Sequence, residues 1–74
     1  MQYTDITATQ ERVLRAYAAY IAKNGYAPML KEIGKELGMV PSTVSVHVAA
    51  LIKQGYITRR RGNRNVMLTE KATA

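Results

Sequence analysis

Arginine side chains are concentrated in one short segment of the 74-residue chain, at Arg59, Arg60, Arg61 and Arg64. Four guanidinium groups held this close together repel one another. Phosphate groups relieve that repulsion because they accept paired hydrogen bonds from arginine, as does the negative potential of a narrow minor groove. The segment therefore predicts contact with a polyanion. The alternative is that these charges only protect an edge strand from aggregation.

A second group of residues has the chemistry to read base edges rather than to catalyse a reaction. Ser42, Thr43 and Ser45 carry hydroxyl groups that donate or accept hydrogen bonds. Val46 is an apolar residue that suits thymine methyl groups, and Ala49 is a small residue on the same side, where close approach to a groove needs small side chains. An ordinary solvated helix face would carry more mixed charge, so this pattern favours a face that enters a major groove. A helix–helix contact is the alternative.

The charge distribution supports a nucleic-acid partner. Eleven Lys and Arg against five Asp and Glu give a net charge of +6, and no acid lies between Leu37 and Thr69. Lys53 and the four arginines all lie in that stretch. Small basic domains often bind nucleic acid, although net charge alone does not separate that role from simple solubility.

Catalytic and metal chemistry find little support in the composition. The chain has no cysteine and one histidine, which argues against disulfides and a zinc site. His47 is expected to pack beside the core. Ser42 and Ser45 lie roughly two to three helical turns from Lys53, too far for a catalytic dyad. We expect a non-enzyme without a cofactor. With no apolar run near 20 residues and no signal peptide, we expect a cytoplasmic protein that does not bind membranes.

Three helices must position these residues. The first is expected to start at Thr7, which forms a capping-box pattern with Gln10, and to end just before Gly25 as its C′ residue. The others are expected at about 30–37, before Gly38, and at about 41–54. In the third helix, the apolar residues recur on one side, opposite the hydroxyl-bearing side. Gly34 is expected where another helix approaches closely.

After the third helix, the apolar residues no longer recur at helical spacing and instead follow the pattern of a strand. Residues 56–60 and 65–69 read as two strands joined by a turn at 61–64. The predicted fold is mainly helical α+β, with three helices followed by a two-stranded β-hairpin. A generic α+β mini-domain is the alternative. We expect one domain over 1–74, an ordered core at about 6–69, and loose ends at 1–6 and 71–74. Four tyrosines are expected at the core edge with their hydroxyls in water: Tyr17, Tyr20, Tyr26 and Tyr56.

Two segments carry a resemblance to a known family. NGYAPMLKEIGKELG and STVSVHVAALIKQGYI resemble the N-terminal DNA-binding domain of the LexA repressor family, a winged helix-turn-helix. The resemblance covers about 6–68. It implies a sequence-specific regulator of transcription, bacterial or from a phage, that binds double-stranded DNA. The ending GYITRRRGNRNVMLT is less specific, because MarR-like and other winged regulators share it.

The resemblance also implies roles for individual residues. Ser42, Thr43, Ser45 and Val46, with Ala49 on the same side, lie where the family reads bases. The hairpin is placed as a wing over the DNA backbone, and the starts of the first two helices are placed near phosphates. The expected backbone-contacting residues are Thr9, Lys31, Lys53, Arg59, Arg60, Arg61, Asn63 and Arg64.

The sequence departs from the family at several points. Met29 and Val40 stand where a capping Ser or Thr is expected, and the base-reading side chains differ. The sequence has no Ala-Gly self-cleavage bond, and we expect a chain without the peptidase domain that dimerises the family. A homodimer on a palindromic site therefore remains open. So do an architectural or replication role in DNA binding, and a winged helix that binds an acidic protein.

Overall fold

The computed structural model describes residues 5–59 and 66–73, with side chains through Ala72. Helices α1 (Ala8–Asn24), α2 (Leu30–Leu37) and α3 (Pro41–Lys53) precede strands β1 (Ile57–Arg59) and β2 (Val66–Leu68), and a short helix α4 (Glu70–Thr73) follows. The strands pair antiparallel, with Ile57 opposite Leu68 and Arg59 opposite Val66. The predicted order of three helices and a hairpin is confirmed. In these ranges no helix is long and apolar enough to cross a membrane.

Helix α1 begins and ends at the residues that its sequence signals predict. Thr7 Oγ1 accepts a hydrogen bond from the Gln10 amide at 3.1 Å, and Gln10 Oε1 accepts one from the Thr7 amide at 3.0 Å. This reciprocal pair satisfies two amides that the helix cannot bond internally. At the other end, Gly25 has φ 80° and donates to the Ile21 carbonyl at 2.8 Å. Both predicted boundaries are confirmed.

Helices α2 and α3 begin without a side-chain cap, as Met29 and Val40 predict. Neither residue forms a side-chain cap hydrogen bond. At α2, Glu32 Oε1 accepts from the Met29 amide at 2.6 Å, so one half of a capping box remains. Glu32 Oε2 accepts from the Tyr20 hydroxyl at 2.9 Å, which joins the start of α2 to α1. At α3, Pro41 occupies the first turn, where its missing N–H costs nothing.

One hydrophobic core holds the three long helices and the hairpin together. Its fully buried side chains come from every one of these elements and are Val13, Leu14, Tyr17, Ile33, Val44, Val48, Leu51 and Ile57. On α3 the buried residues are Val44, Val48 and Leu51, the side that the helical period predicts. Because these three residues are fully buried, the opposite side of α3 must face outward.

The turn between α2 and α3 is tight because Gly34 has no side chain. A Cβ atom at Gly34 would overlap the Met39 carbonyl oxygen and would lie 3.4 Å from the carbonyl carbon. The Met39 amide donates to the Gly34 carbonyl at 2.8 Å, and Gly38 takes the left-handed conformation at φ 71°. A close approach at Gly34 is confirmed, but the predicted partner was a helix and the nearest atoms belong to Met39 in the turn, whereas Val44 Cγ2 of α3 would lie at an ordinary contact distance of 3.6 Å.

The first and last residues that the structure describes differ from the prediction. Asp5 Oδ2 accepts from Lys71 Nζ at 2.8 Å, and Asp5 Oδ1 accepts a short hydrogen bond from the Tyr56 hydroxyl. Lys71 Nζ also lies 4.5 Å from the centre of the Tyr56 ring, and Ala72 is buried. The expectation of loose ends is therefore wrong for Asp5 and for 71–73. These contacts join residues 51 and 66 positions apart, and local patterns do not reveal them.

Candidate nucleic-acid interface

The outward side of α3 carries the residues predicted to read bases. Ser42, Thr43, Val46 and Ala49 are exposed and Ser45 is half-buried. Val46 has 66% of its surface exposed, whereas its neighbours Val44 and Val48 have none. The structure therefore brings all five side chains to one side of one helix. Their contacts with bases remain a prediction.

The position of α3 depends on its packing against α2. Ile33 of α2 is fully buried in the core, and the tight turn at Gly34 sets the path of the chain into α3. Two helices joined by a short turn, with the second exposing one side along its length, form a helix-turn-helix. In such units the second helix enters the major groove, and its first residues contact base edges.

Val40 is a candidate that the sequence prediction missed. It occupies the N-cap position of α3 and has 61% of its surface exposed. The sequence identified Val40 only as a residue that cannot cap α3 with its side chain. Its place at the N-terminal end of α3 could have identified it, because that end of a recognition helix contacts DNA.

The predicted backbone-contacting residues divide into those that the structure describes and those that it does not. Lys31, Lys53 and Arg59 are exposed, and Thr9 is half-buried in the first turn of α1. Lys31 lies in the first turn of α2 and Lys53 ends α3. The remaining candidates lie outside the described residues: Arg60, Arg61, Asn63 and Arg64. The tip of the predicted wing therefore stays a prediction.

The hairpin is joined to the end of α3 by backbone hydrogen bonds. The Tyr56 amide donates to the Leu51 carbonyl at 3.0 Å, and the Thr69 amide donates to the Tyr56 carbonyl at 3.0 Å. Thr69 Oγ1 donates to the Gly55 carbonyl at 2.5 Å. These bonds fix the direction in which β1 leaves α3. Arg59 is the last residue of that strand.

Two acidic groups of the described chain pair with basic side chains of other helices than α3. Glu11 forms an ion pair with Arg15 at 2.8 Å, and Asp5 forms one with Lys71 at 2.8 Å. Lysines 31 and 53 and Arg59 form no ion pair within 5–59 and 66–73. Their charges are therefore not neutralised by carboxylates of the described chain, and they remain available to an anion.

Tyr17 of α1 is a buried tyrosine whose hydroxyl is influenced by the charge of Arg59 in β1. Burial raises the pKa of Tyr17 to about 12, and the positive charge of Arg59 opposes part of that rise. The Tyr17 hydroxyl is buried and has no hydrogen-bond partner among residues 5–59 and 66–73. The prediction that this hydroxyl reaches water is therefore wrong. By contrast, Tyr26 is 48% exposed and meets Tyr20 edge to face, with ring centres 5.9 Å apart.

A helix-turn-helix followed by a two-stranded hairpin, with one side of the second helix open to solvent, defines a winged helix-turn-helix domain. Within that class the chain belongs to the LexA DNA-binding domain family, whose sequence model matches residues 3–64. The predicted resemblance is confirmed.

The related proteins are LexA repressors that are longer than this chain. The chain is 38% identical over 68 residues to the LexA repressor of Thermotoga neapolitana, which covers 92% of the chain and 34% of that protein. It is 37% identical over 68 residues to the LexA repressor of Thermosipho africanus, covering 90% and 34%. For Pseudothermotoga lettingae the identity is 30% over 70 residues, covering 95% and 35%. The chain thus spans about a third of the length of these curated relatives.

Proposed function

We propose that this chain binds double-stranded DNA sequence-specifically as the DNA-binding part of a LexA-like transcriptional repressor. In this role α3 enters the major groove and the hairpin lies along the neighbouring backbone. The chain acts by binding and not by catalysis. Its place of action is the bacterial nucleoid or the cytoplasm of a phage-infected cell.

The observation that carries the proposal is the composition of the exposed side of α3. Hydroxyl and small apolar side chains occupy it, with Lys53 at its end and no acid anywhere in the helix. Small side chains allow the helix backbone to approach base edges closely, and hydroxyls supply hydrogen bonds there. Membership of the LexA DNA-binding domain family supports the same reading.

The proposal divides the site into two kinds of contact. Ser42, Thr43, Ser45, Val46 and Ala49 read bases. The phosphate contacts are assigned to Thr9, Lys31, Lys53, Arg59, Arg60, Arg61, Asn63 and Arg64. Phosphate contacts supply affinity that depends on salt, whereas base contacts supply selectivity.

Selection of bound duplexes from a random pool tests this function directly. We expect a defined sequence that competes at least tenfold better than unrelated duplex. Thr43→Ala and Ser45→Ala should change the selected sequence, whereas Lys53→Ala should weaken binding to all duplexes alike. A palindromic site with half-sites about one helical turn apart, or a multiple of that, indicates two copies bound together.

The same assay separates the other candidate roles. An architectural or replication protein would bind selected and unrelated duplexes about equally. A winged helix that docks on an acidic protein would bind no long duplex at low salt. Either result contradicts the proposed function.

A further inference from the structure

The exposed side of α3 lacks every long polar side chain that normally identifies a base pair. Residues 41–52 contain no Asp, Glu, Asn, Gln, Lys or Arg. Arg or Lys reads guanine through two hydrogen bonds, and Asn or Gln reads adenine in the same way. Lys53 comes only at the last residue of α3, far from the end that contacts bases. This helix therefore makes no bidentate contact along the part that enters the groove.

The hydroxyl groups on the same side discriminate weakly. Ser42 and Thr43 are exposed and Ser45 is half-buried. A hydroxyl donates to one base and accepts from another with equal ease, so it fits several base pairs. Selectivity must therefore come mainly from another group on this surface.

That group is the apolar patch formed by Val46 and Ala49. The two residues are three apart on α3 and both are exposed, so they are neighbours on the helix surface. Val46 is the most exposed of the large hydrophobic residues in the described chain, at 66%. The fully buried side chains of Val44 and Val48 fix its direction, and its β-branch restricts the side chain mainly to one rotamer.

The only apolar group on the major-groove edge of DNA is the methyl group of thymine. We propose that Val46, with Ala49 beside it, determines specificity by covering thymine methyl groups. The recognised half-site therefore contains thymine opposite the middle of α3, and replacement of thymine by uracil weakens binding. This inference rests on the proposed function, because it assigns the chemistry of the same surface.

The test uses the duplex obtained by selection, with each thymine replaced in turn by uracil. This change removes one methyl group and keeps every hydrogen-bonding atom. We expect binding about fourfold weaker at one or two positions, the factor that corresponds to one buried methyl-sized group. The other positions should change little. Fluorescence anisotropy with labelled duplex measures both affinities.

A variant without methyl groups assigns the effect to one side chain. Val46→Ser replaces the two methyl groups of an exposed side chain with one hydroxyl, so folding should be preserved. In this variant the ratio of thymine to uracil affinity at the sensitive positions should fall to near one. Ala22→Ser, at an exposed position of α1, should leave the ratio at its original value.

The outcomes separate this inference from the function on which it rests. Equal binding of thymine and uracil duplexes overturns the inference, and so does a ratio that Val46→Ser leaves unchanged. Either result still leaves a sequence-specific DNA-binding protein. Binding to no duplex at low salt overturns the proposed function, and the inference fails with it.

Discussion

Replacing Gly34 with alanine should destabilise the protein, although this substitution usually stabilises a helix. In the interior of an exposed helix, Ala is more favourable than Gly by about 1 kcal/mol. At Gly34 the added Cβ overlaps the Met39 carbonyl oxygen, lies 3.4 Å from the carbonyl carbon and meets Val44 Cγ2 at 3.6 Å. The sign of the effect therefore shows whether the turn between α2 and α3 can move.

The turn has little freedom to give way. The Met39 amide donates to the Gly34 carbonyl at 2.8 Å, so a shift that removes the overlap also strains this hydrogen bond. Overpacking costs about 1–3 kcal/mol, and a lost hydrogen bond costs about 1 kcal/mol. After subtraction of the helix-propensity gain, we expect a net destabilisation of about 1–3 kcal/mol. A domain of this size should then unfold roughly 5–25 °C lower.

Urea and thermal unfolding followed by circular dichroism measure this change. Lys35→Ala is the matched control because it is exposed on the same helix and should shift stability by less than about 0.5 kcal/mol. Where both proteins are folded, Gly34→Ala should also bind DNA more weakly, because α3 is displaced from α2. A Gly34→Ala protein more stable than wild type would refute the packing account of the turn.

Three further outcomes follow from the described contacts. Tyr17→Phe should raise stability by about 1 kcal/mol in urea unfolding, because it removes a buried hydroxyl that has no partner in the part of the chain that the structure describes. A clear loss of stability would contradict this account. Hydrogen bonds from Lys71 and the Tyr56 hydroxyl lower the pKa of Asp5 below its ordinary 3.8. The stability that this carboxylate provides is therefore present above about pH 4 and is lost as the pH falls further. In Asp5→Asn the loss of stability at acid pH should be smaller. An equally steep loss in the variant contradicts the assignment. Arg59→Ala should weaken all duplexes alike and reduce the slope of log affinity against log salt by about one, whereas Thr58→Ala leaves the slope unchanged.

Local rules predicted most of the helical framework. The Thr7–Gln10 capping box and Gly25 gave the ends of α1, because each signal depends on residues within one turn of the helix. The side of α3 that faces solvent also followed from the helical period alone. The missing caps at Met29 and Val40 were likewise visible in the sequence, since a cap needs only one side chain.

Contacts between distant residues were beyond such rules. The ion pair of Asp5 and Lys71 forms because the tertiary fold brings two residues distant in sequence into contact. The charge pattern near each of them does not encode this contact. Helix α4 was missed for a related reason. Its four residues are too few to show a period, and Ala72 is buried only because other elements lie against it.

Contacts between residues distant in sequence also stabilise the junction of α3 and β1, the two elements that carry the proposed interface. Lys71 Nζ donates to the Gln54 carbonyl at 2.9 Å, and Thr69 Oγ1 donates to the Gly55 carbonyl at 2.5 Å. Both acceptors lie at the corner where α3 ends and β1 begins. A tail that holds this corner fixes the angle between the exposed side of α3 and the strand that carries Arg59. In the proposed complex, base-reading and phosphate-binding groups must meet one duplex together, so residues outside the proposed interface set how well the two sets fit it.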